Sequence, residues 1–138
     1  MTIRRAAPQD GPALFQLARA FATSFAVEQP AFEQAFAELL THPEAFLAVA
    51  EADGKVVGYV LGFDHLTFFA NGRVAWVEEV MVSESFRRQG IGRILMEAFE
   101  AWAAEREAKM IALATRRAAD FYEALGYEES ATYFRKRL

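Results

Sequence analysis

The sequence predicts a single α/β (or α+β) domain, 1–138, with a mixed central sheet of about six to seven strands and about four helices. Two observations predict this class. Apolar segments over residues 46–82 follow one another with only turns between them, which is typical of an antiparallel meander. Residues 74–114 then form a strand–helix–strand pattern, and a connection of this length joins parallel strands by a right-handed crossover. No linker divides the 138 residues, which are enough for one core.

The N-terminal third is predicted to hold one short strand and two helices. Residues 2–6 form the strand, and Asp10 then caps the first helix, because aspartate favours that position. A second helix follows Pro30 and ends before Pro43, since proline disfavours helical geometry at the residue before it. Residues 22–29, between the two helices, are predicted to form a mobile lip.

The remaining elements follow from turns and from apolar periodicity. Strands 46–51 and 56–64 are joined by an Asp-Gly turn, a strong hairpin signal, and strand 74–82 follows an Asn-Gly turn. Apolar residues at helical spacing predict a core-facing helix over about 90–106. Three further elements are predicted after it: a strand over 109–114, a short helix over 118–125 and a final strand over 132–138.

The turn between strand 74–82 and the long helix has the composition of a phosphate site. It carries three arginines and two glycines in the run Arg87, Arg88, Gln89, Gly90, Ile91, Gly92 and Arg93. Glycine lets the backbone bend tightly and approach a ligand, and the first N–H groups of the helix point to the same place. In a chain of net charge −4, this local cluster of arginines indicates an anion site. The run is neither a Walker loop nor a dinucleotide fingerprint, since Leu95 replaces the third glycine.

Composition excludes several classes of function. The chain has no cysteine, so disulfides, thiolate metal sites and a cysteine acyl-enzyme are ruled out. His42 and His65 lie in unrelated contexts, and we predict no metal. A pI near 5.2 argues against a nucleic-acid partner, which requires a basic face. No apolar run approaches the ~20 residues of a membrane helix, and the first residues lack the apolar core of a signal peptide, so we expect no membrane partner and a cytoplasmic location.

The order of strand, Arg-x-x-Gly-x-Gly and helix resembles the acyl-CoA pyrophosphate loop of the GNAT superfamily of N-acetyltransferases. A second segment, Ala-Ala-Asp-Phe-Tyr-Glu-Ala-Leu-Gly-Tyr at 118–127, is similar to the family's Ala-x-x-Phe-Tyr-x-x-x-Gly-Phe/Tyr pattern. The predicted order of elements also resembles the family over nearly the whole chain, and the pattern is closest to its diamine and small-amine members. The resemblance implies that acetyl-CoA is the acyl donor. It also implies that a primary amine of a small molecule, such as an amino acid or polyamine, attacks the donor directly without an acetyl-enzyme.

The same resemblance assigns roles to the strand end and to the tyrosine of the second segment. It implies that Tyr122 protonates the departing CoA thiolate, which the pKa ranges of phenols (~10) and thiols (~8.5) allow. It implies that Val80, Met81 and Val82 pair with the pantetheine amides, and that an N–H of Val80 or Met81 polarises the thioester carbonyl. Thr115 stands where the family often has an asparagine that contacts pantetheine, so a cofactor contact there is left open.

Glu78 and Glu79 are the candidates for the general base. An alkylammonium acceptor with a pKa near ~10.4 must lose a proton before it attacks, and a carboxylate in an otherwise apolar strand is costly unless it has a partner or a use. Diamine-type members of the family similarly carry paired acids here. Glu78 matches the residue most often proposed as the base, so we prefer it to Glu79. The structural alternative is a salt bridge to Arg73 or Arg93.

Several alternatives stay open. Within enzymes they are transfer of a larger acyl group, or transfer to a protein or aminoacyl-transfer-RNA amine. Outside enzymes the alternative is a non-catalytic acyl-CoA-binding sensor domain, and the presence of Tyr122 with the two glutamates counts against it. Phe68 and Phe69 lie in a predicted loop and suggest an exposed interface, so a homodimer is expected. No motif identifies the acceptor amine.

Overall fold

The computed structural model describes all residues, Met1–Leu138, as one sheet with helices on both faces. The sheet has five strands, β1 (Thr2–Arg5), β2 (Ala45–Ala52), β3 (Lys55–Thr67), β4 (Gly72–Val82) and β5 (Met110–Leu113). The helices are α1 (Gly11–Phe21), α2 (Gln29–Leu39), α3 (Ile91–Glu105) and α4 (Ala119–Ala124). Short 3₁₀ turns precede α1 and follow β4, at Pro8–Asp10 and Glu84–Phe86.

The strand order is β1-β2-β3-β4-β5. Neighbouring strands are antiparallel except for β4 and β5, which are parallel and are connected through α3. The mixed sheet, the parallel crossover and the four helices are therefore confirmed. The prediction of six to seven strands is wrong, because the sheet has five.

The final strand that we predicted over 132–138 does not form. That segment has no regular secondary structure, and Tyr133 and Phe134 in it are exposed. Two of its arginines instead reach the loop between α1 and α2. Arg135 donates a hydrogen bond to the Ser24 hydroxyl at 3.0 Å, and Arg137 donates to the Ser24 carbonyl at 3.1 Å. A strand-like composition needs a paired edge to become a strand, and without that pairing β5 remains the outer edge of the sheet.

Two apolar clusters hold the layers together. The α3-side cluster joins α3 to the sheet, and its helix contributes the fully buried Leu95, Met96 and Phe99. A Cβ at Gly62 would overlap the Phe99 ring, so a glycine at this strand position allows α3 to pack closely on the sheet. The α1–α2-side cluster covers the opposite face with Leu14, Leu17, Phe36, Leu47, Val49, Tyr59 and Leu61.

A β-bulge interrupts β4 at Glu78. Leu61 of β3 lies opposite Glu79, whereas the next residue, Gly62, lies opposite Val77, so Glu78 is the extra residue. Side chains alternate between the two faces of a strand, and an inserted residue reverses the alternation beyond it. Val77 accordingly packs in the α3-side cluster, while Met81 packs against the α1–α2-side cluster. The bulge therefore directs Glu79 toward α1 and α2.

The strands β4 and β5 pair only over the first half of β4. Pairing runs from Val74 with Met110 to Val77 with Leu113, and it ends at the residue before the bulge. Beyond the bulge, residues 79–82 of β4 stay paired with β3 on one side, and residues 78–82 have no strand on the other. A length of β4 edge is therefore free where the two parallel strands diverge.

Candidate functional site

An open cavity of about 2160 Å³ includes the divergence of β4 and β5. Ligand pockets of ordinary size have roughly 300–1,000 Å³, so this cavity has room for two substrates. Its walls include seven of the sequence-predicted site residues: Glu78, Glu79, Val80, Met81, Arg87, Thr115 and Tyr122. The other predicted residues lie beside the cavity and outside its lining: Val82, Arg88, Gln89, Gly90, Ile91, Gly92 and Arg93. The structure thus brings the strand end and the tyrosine segment together.

The turn before α3 has the backbone geometry of an anion site. Arg88 and Gly90 both have left-handed geometry, with φ of 64° and 80°, and Gly90 is the N-cap of α3. The first N–H groups of a helix have no intrahelical partner, and Ile94 supplies the first N–H that reaches back to the Gly90 carbonyl. A Cβ at Gly90 would meet no atom within 4 Å, so the space beside the N-cap of α3 is open. Such an arrangement favours a phosphate.

Not every residue of the turn is free to bind. The Ile91 side chain is buried in the α3-side cluster, so only its backbone faces a ligand. A Cβ at Gly92 would lie 3.2 Å from the Phe121 ring, which shows that Gly92 allows α4 to pack against the start of α3. Arg87 donates through Nε to the Val82 carbonyl at 3.1 Å and so ties the turn to the end of β4. Arg88 and Arg93 remain exposed.

Tyr122 lies on α4 and is half-buried. Its ring packs against the rings of Phe121 and Tyr127, with centroids 4.9 and 5.9 Å away. Burial alone raises the pKa of its phenol, because its hydroxyl has no hydrogen-bond partner in the chain. The phenol therefore keeps its proton at neutral pH and can donate it to a ligand in the cavity.

Thr115 has a structural contact at the start of α4. Its Oγ accepts a hydrogen bond from the Ala118 N–H at 3.0 Å, as a capping side chain does. The hydroxyl proton is not used in this contact and points to no other residue of the chain. The Thr115 hydroxyl therefore keeps its proton and one lone pair for a ligand.

The two adjacent glutamates lie in different environments. Glu78, at the bulge, is exposed and accepts a hydrogen bond from Trp76 Nε1 at 2.8 Å. Glu79 is half-buried and accepts from the Tyr59 hydroxyl at 2.6 Å. Burial raises the pKa of the Glu79 carboxyl; the Tyr59 hydrogen bond opposes this rise, and the charge of Glu78 adds to it. The Glu79 carboxyl in the cavity wall therefore holds a proton up to a higher pH than an exposed glutamate does.

Neither glutamate forms the salt bridge that we considered as a structural alternative. Arg73 is occupied by Glu44 at 2.8 Å and by the buried Asp64 at 3.3 Å. Asp64 also pairs with Arg106 at the end of α3, which completes a structural ion cluster away from the cavity. Arg93 makes no ion pair with either glutamate. The two carboxylates of the cavity therefore lack a cationic partner within the chain.

Sequence reasoning missed Tyr59 and Trp76. Trp76 lies two residues before Glu78, and strand alternation alone would have placed both side chains on the same face. Tyr59 belongs to another strand, and it meets Glu79 only because of the bulge. No local signal in the sequence indicates that contact.

The opposite wall of the cavity is formed by α1, α2, the loop between them and the C-terminal segment. This wall is aromatic, with Phe21, Phe25, Phe32 and Tyr133 among its residues. The Arg137 guanidinium also lies over the Phe25 ring, 5.0 Å from its centroid. The segment predicted as a lip over 22–29 thus contacts the C-terminal residues beside the cavity.

Two other features bear on ligands and partners. The structure has no group of three or more His, Cys, Asp or Glu side chains arranged to hold a metal ion. None of its helices combines the length and the apolar character needed to span a bilayer. Phe68 and Phe69 are exposed between β3 and β4, as expected for a surface patch.

Comparison with known proteins gives a consistent family. The sequence model of the acetyltransferase (GNAT) family matches residues 12–127. An N-alpha-acetyltransferase from Sulfurisphaera tokodaii is 34% identical over 108 residues, which are 68% of this chain and 63% of that relative. The chain thus spans less than two thirds of the length of this curated relative.

Solved structures resemble the chain over nearly its whole length. A transcriptional regulator from Bacillus halodurans C-125 has a TM-score of 0.91 at 26% identity, with 99% of each chain covered. Glucosamine-6-phosphate N-acetyltransferase from Arabidopsis thaliana has a TM-score of 0.87 at 20% identity, and the match covers 99% of this chain and 97% of that one. At 20% identity, the likeness to the A. thaliana enzyme shows a shared fold only.

Proposed function

This chain belongs to the acetyltransferase (GNAT) family, and we propose that it transfers an acetyl group from acetyl-CoA directly to a primary amine. The observation that carries the proposal is the free edge of β4 at residues 78–82, which begins at the bulge and faces the cavity. An unpaired strand edge offers N–H and C=O groups to an extended ligand. A pantetheine arm has amides of the right kind to pair there.

The cofactor lies along this edge with its phosphates at the turn before α3. The exposed Arg88 and Arg93, the left-handed Gly90 and the helix N–H groups bind the pyrophosphate. Successive N–H groups of a strand point to opposite sides, so one of Val80 and Met81 directs its N–H away from β3. That N–H polarises the thioester carbonyl and stabilises the oxyanion that develops on it.

The chemistry is a direct transfer with all protons accounted for. A carboxylate of the Glu78–Glu79 pair takes a proton from the acceptor ammonium, and the freed nitrogen lone pair attacks the thioester carbonyl carbon. The carbon–sulfur bond then breaks, the sulfur leaves with the bonding electrons, and it receives the proton of Tyr122. The acylated nitrogen then loses its second proton, which returns through solvent to the Tyr122 phenolate, and the protonated glutamate releases its proton to solvent. The products are an N-acetyl amine and free CoA.

The two glutamates support this step differently. The resemblance favours Glu78 as the base, whereas burial makes Glu79 the stronger proton acceptor, because its pKa is raised toward the working range. Both remain candidates for the base, and paired substitutions distinguish them.

The acceptor class rests on the cavity wall. Two carboxylates without an ion pair attract a cationic amine, and the aromatic residues of α1, α2 and the loop between them suit its carbon skeleton. A small-molecule amine such as an amino acid or polyamine is our first candidate. A protein N-terminus is the second, because the relative from S. tokodaii is named an N-alpha-acetyltransferase. The expected cytoplasmic location and homodimer stay predictions.

Release of free thiol from acetyl-CoA tests the proposal. Parent protein and Tyr122→Phe would be compared with polyamines, amino acids, amino sugars and peptides with free N-termini. Amine-dependent thiol release by the parent, with the acetylated amine seen by mass spectrometry, is the expected result. Binding of acetyl-CoA by calorimetry without release for any acceptor would instead favour a sensor domain. Longer acyl-CoA donors in the same assay test whether acetyl is preferred.

A further inference from the structure

A buried tyrosine outside both sequence motifs holds one oxygen of a cavity carboxylate. Tyr59 lies in β3 and is only 3% exposed. Its hydroxyl donates to Glu79 Oε1 at 2.6 Å, and this is its single hydrogen bond within the chain. The other oxygen of that carboxylate, Oε2, receives no hydrogen bond from the chain. Glu79 Oε1 is therefore hydrogen-bonded to the sheet, whereas Oε2 is free. The Glu79 side chain lines the cavity.

The contact exists because of strand register and of the bulge. Tyr59 lies opposite Met81, and Glu79 lies opposite Leu61, so the pair is diagonal across β3 and β4. Diagonal neighbours on one sheet face are about 7–8 Å apart at their backbones, which an aromatic side chain can span. In a regular strand without the bulge, Glu79 would lie opposite Val60 and point to the α3 side, away from Tyr59.

The direction of the hydrogen bond is determined by the pKa of the phenol. Burial, with a further contribution from the Glu79 charge, raises the pKa of Tyr59, so it stays protonated and acts as the donor. A donor stabilises the ionised carboxylate more than the protonated acid. The hydrogen bond thus counteracts the effect of burial and of Glu78 on the Glu79 pKa.

We propose that Tyr59 is a positioning residue for the reaction: it orients the Glu79 carboxylate so that Oε2 faces the acceptor ammonium and accepts its proton. This inference rests on the proposed acetyl transfer and commits to Glu79 as the base. Tyr59 acts through this carboxylate, because its own side chain is almost wholly buried. Its effect on the rate passes through the orientation and the pKa of Glu79.

Direct titration of Glu79 gives the first test, and it needs no turnover. Protein labelled with ¹³C at the glutamate carboxyl carbons is titrated by NMR, and the Glu79 signal is assigned by its loss in Glu79→Gln. Tyr59→Phe should move the Glu79 midpoint upward by about one pH unit, the size expected for a hydrogen bond to a charged group. An unchanged midpoint would overturn the proposal.

A matched control is available in the same fold. Tyr127 donates to Glu100 Oε2 at 2.6 Å, so Tyr127→Phe removes a hydrogen bond of the same length from a different carboxylate. Tyr127→Phe should leave the Glu79 midpoint unchanged. If it moved that midpoint as far as Tyr59→Phe does, the effect would be a general change of the fold, and the proposal would fail. If Tyr59→Phe does not fold, 3-fluorotyrosine labelling keeps every ring and makes each phenol a stronger donor. The Glu79 midpoint should then move downward, and no movement would count against the proposal.

The pH profile of kcat/KM is the second test. In Tyr59→Phe the acidic limb of the kcat/KM profile should move to higher pH, by the same amount as the NMR midpoint of Glu79. In a protein that already carries Glu79→Gln, adding Tyr59→Phe should not move the limb further. A midpoint that moves while the limb does not would show that Glu79 is not the base. A parent protein without thiol release would instead remove the proposed function, while the NMR titration would still report on the Tyr59 contact.

Discussion

Two sides of the candidate site are built in opposite ways. The turn side, residues 87–93, consists of consecutive residues that carry the arginines, the left-handed backbone and the helix start. The carboxylate side consists of Glu78 and Glu79 with their partners Trp76 and Tyr59, and it depends on an extra residue in β4 and on a side chain from β3. The comparison teaches that backbone groups for a ligand can come from consecutive residues. A carboxylate with a shifted pKa instead needs contacts with residues that are distant in the sequence.

The two sides also differ in how charge is balanced. The arginines of the turn side are exposed, so water solvates their charges. On the carboxylate side, Glu79 is half-buried, has no cation beside it, and has a raised pKa. A structural carboxylate of this protein, Asp10, has a lowered pKa instead. The buried Asp10 receives two hydrogen bonds from Arg4, at 2.8 and 2.9 Å, which lower its pKa.

Tyr122→Phe is expected to have the largest effect, because it should lower kcat while leaving the acetyl-CoA Kd nearly unchanged. The change removes one hydroxyl that has no partner in the chain and keeps the ring between Phe121 and Tyr127. Loss of a general acid costs about 10²–10⁴ in rate, so kcat should fall within that range. The acetyl-CoA Kd on the turn side should be nearly unchanged. Stopped-flow thiol release and calorimetry would measure the two quantities, and turnover within about twofold of the parent would remove the role of Tyr122.

Glu79→Gln and Glu78→Gln form a matched pair on the carboxylate side. Each removes one charge, but only Glu79 is half-buried and bonded to Tyr59. Glu79→Gln should lower kcat/KM by about 10² near neutral pH. Part of the activity should return at alkaline pH, where amines of pKa near ~10.4 lose their proton without help. Glu78→Gln should do less.

The pair of variants can also reverse our assignment. A larger loss in Glu78→Gln, with a normal pH profile in Glu79→Gln, would make Glu78 the base, as the resemblance favours. Two variants that match the parent at every pH would show that neither carboxylate accepts the proton.

Gly90→Val and Gly92→Val test the turn side. A Cβ at Gly90 enters open space but requires a residue at φ 80°, which costs an L-residue roughly 1–2 kcal/mol. We expect the acetyl-CoA Kd to rise by about tenfold or more, because the added side chain lies in front of the helix N–H groups. Gly92→Val should instead lower the melting temperature, because its Cβ meets the Phe121 ring. Unchanged acetyl-CoA affinity in a folded Gly90→Val protein would move the phosphates elsewhere.

The smallest expected effect is on stability as a function of pH. The folded pKa of Asp10 lies below its unfolded value of 3.8, so its contribution is complete above that pH and is lost as the pH falls through the folded pKa. The folded pKa of Glu79 lies above its unfolded value of 4.5. The contribution of Glu79 is therefore complete below pH 4.5 and is lost as the pH rises through the folded pKa.

Urea unfolding at a series of pH values measures both contributions. Asp10→Asn should be less stable than the parent at neutral pH and should flatten the decline at acidic pH. Glu79→Gln should be at least as stable as the parent above neutral pH, because it removes a charge that burial disfavours. A loss of stability in Glu79→Gln at that pH would show that the carboxylate is structural.

Local chemistry explains what could be predicted. Gly54, Gly72, Gly90 and Gly126 all have positive φ, and each ends or begins an element at the predicted place. The parallel crossover through α3 followed from the lengths of its segments, and the strand end and Tyr122 do meet in one cavity. These features depend on neighbouring residues, because turn geometry and periodicity act over a few positions.

The errors occurred where distant residues decide the outcome. The segment 132–138 has a strand-like composition, but its arginines bind Ser24 in the loop between α1 and α2 and leave the outer edge of β5 unpaired. The bulge at Glu78 has no glycine or proline to mark it, and it arises in the pairing of β4 with β3. The salt bridge considered for the glutamates does not form, because Arg73 binds Glu44 and the buried Asp64.

By itself the sequence determined the mixed order of strands and helices, the phosphate-type turn and the position of Tyr122 on a short helix. Backbone conformation and capping follow from adjacent residues, so these features can be inferred without knowing the fold. Only the tertiary structure decided that Glu79 faces α1 and α2, that Tyr59 holds it, and that β4 has a free edge beyond Val77. The physical reason is that side-chain burial, and with it the pKa of a carboxylate, depends on which strand lies opposite and in what register.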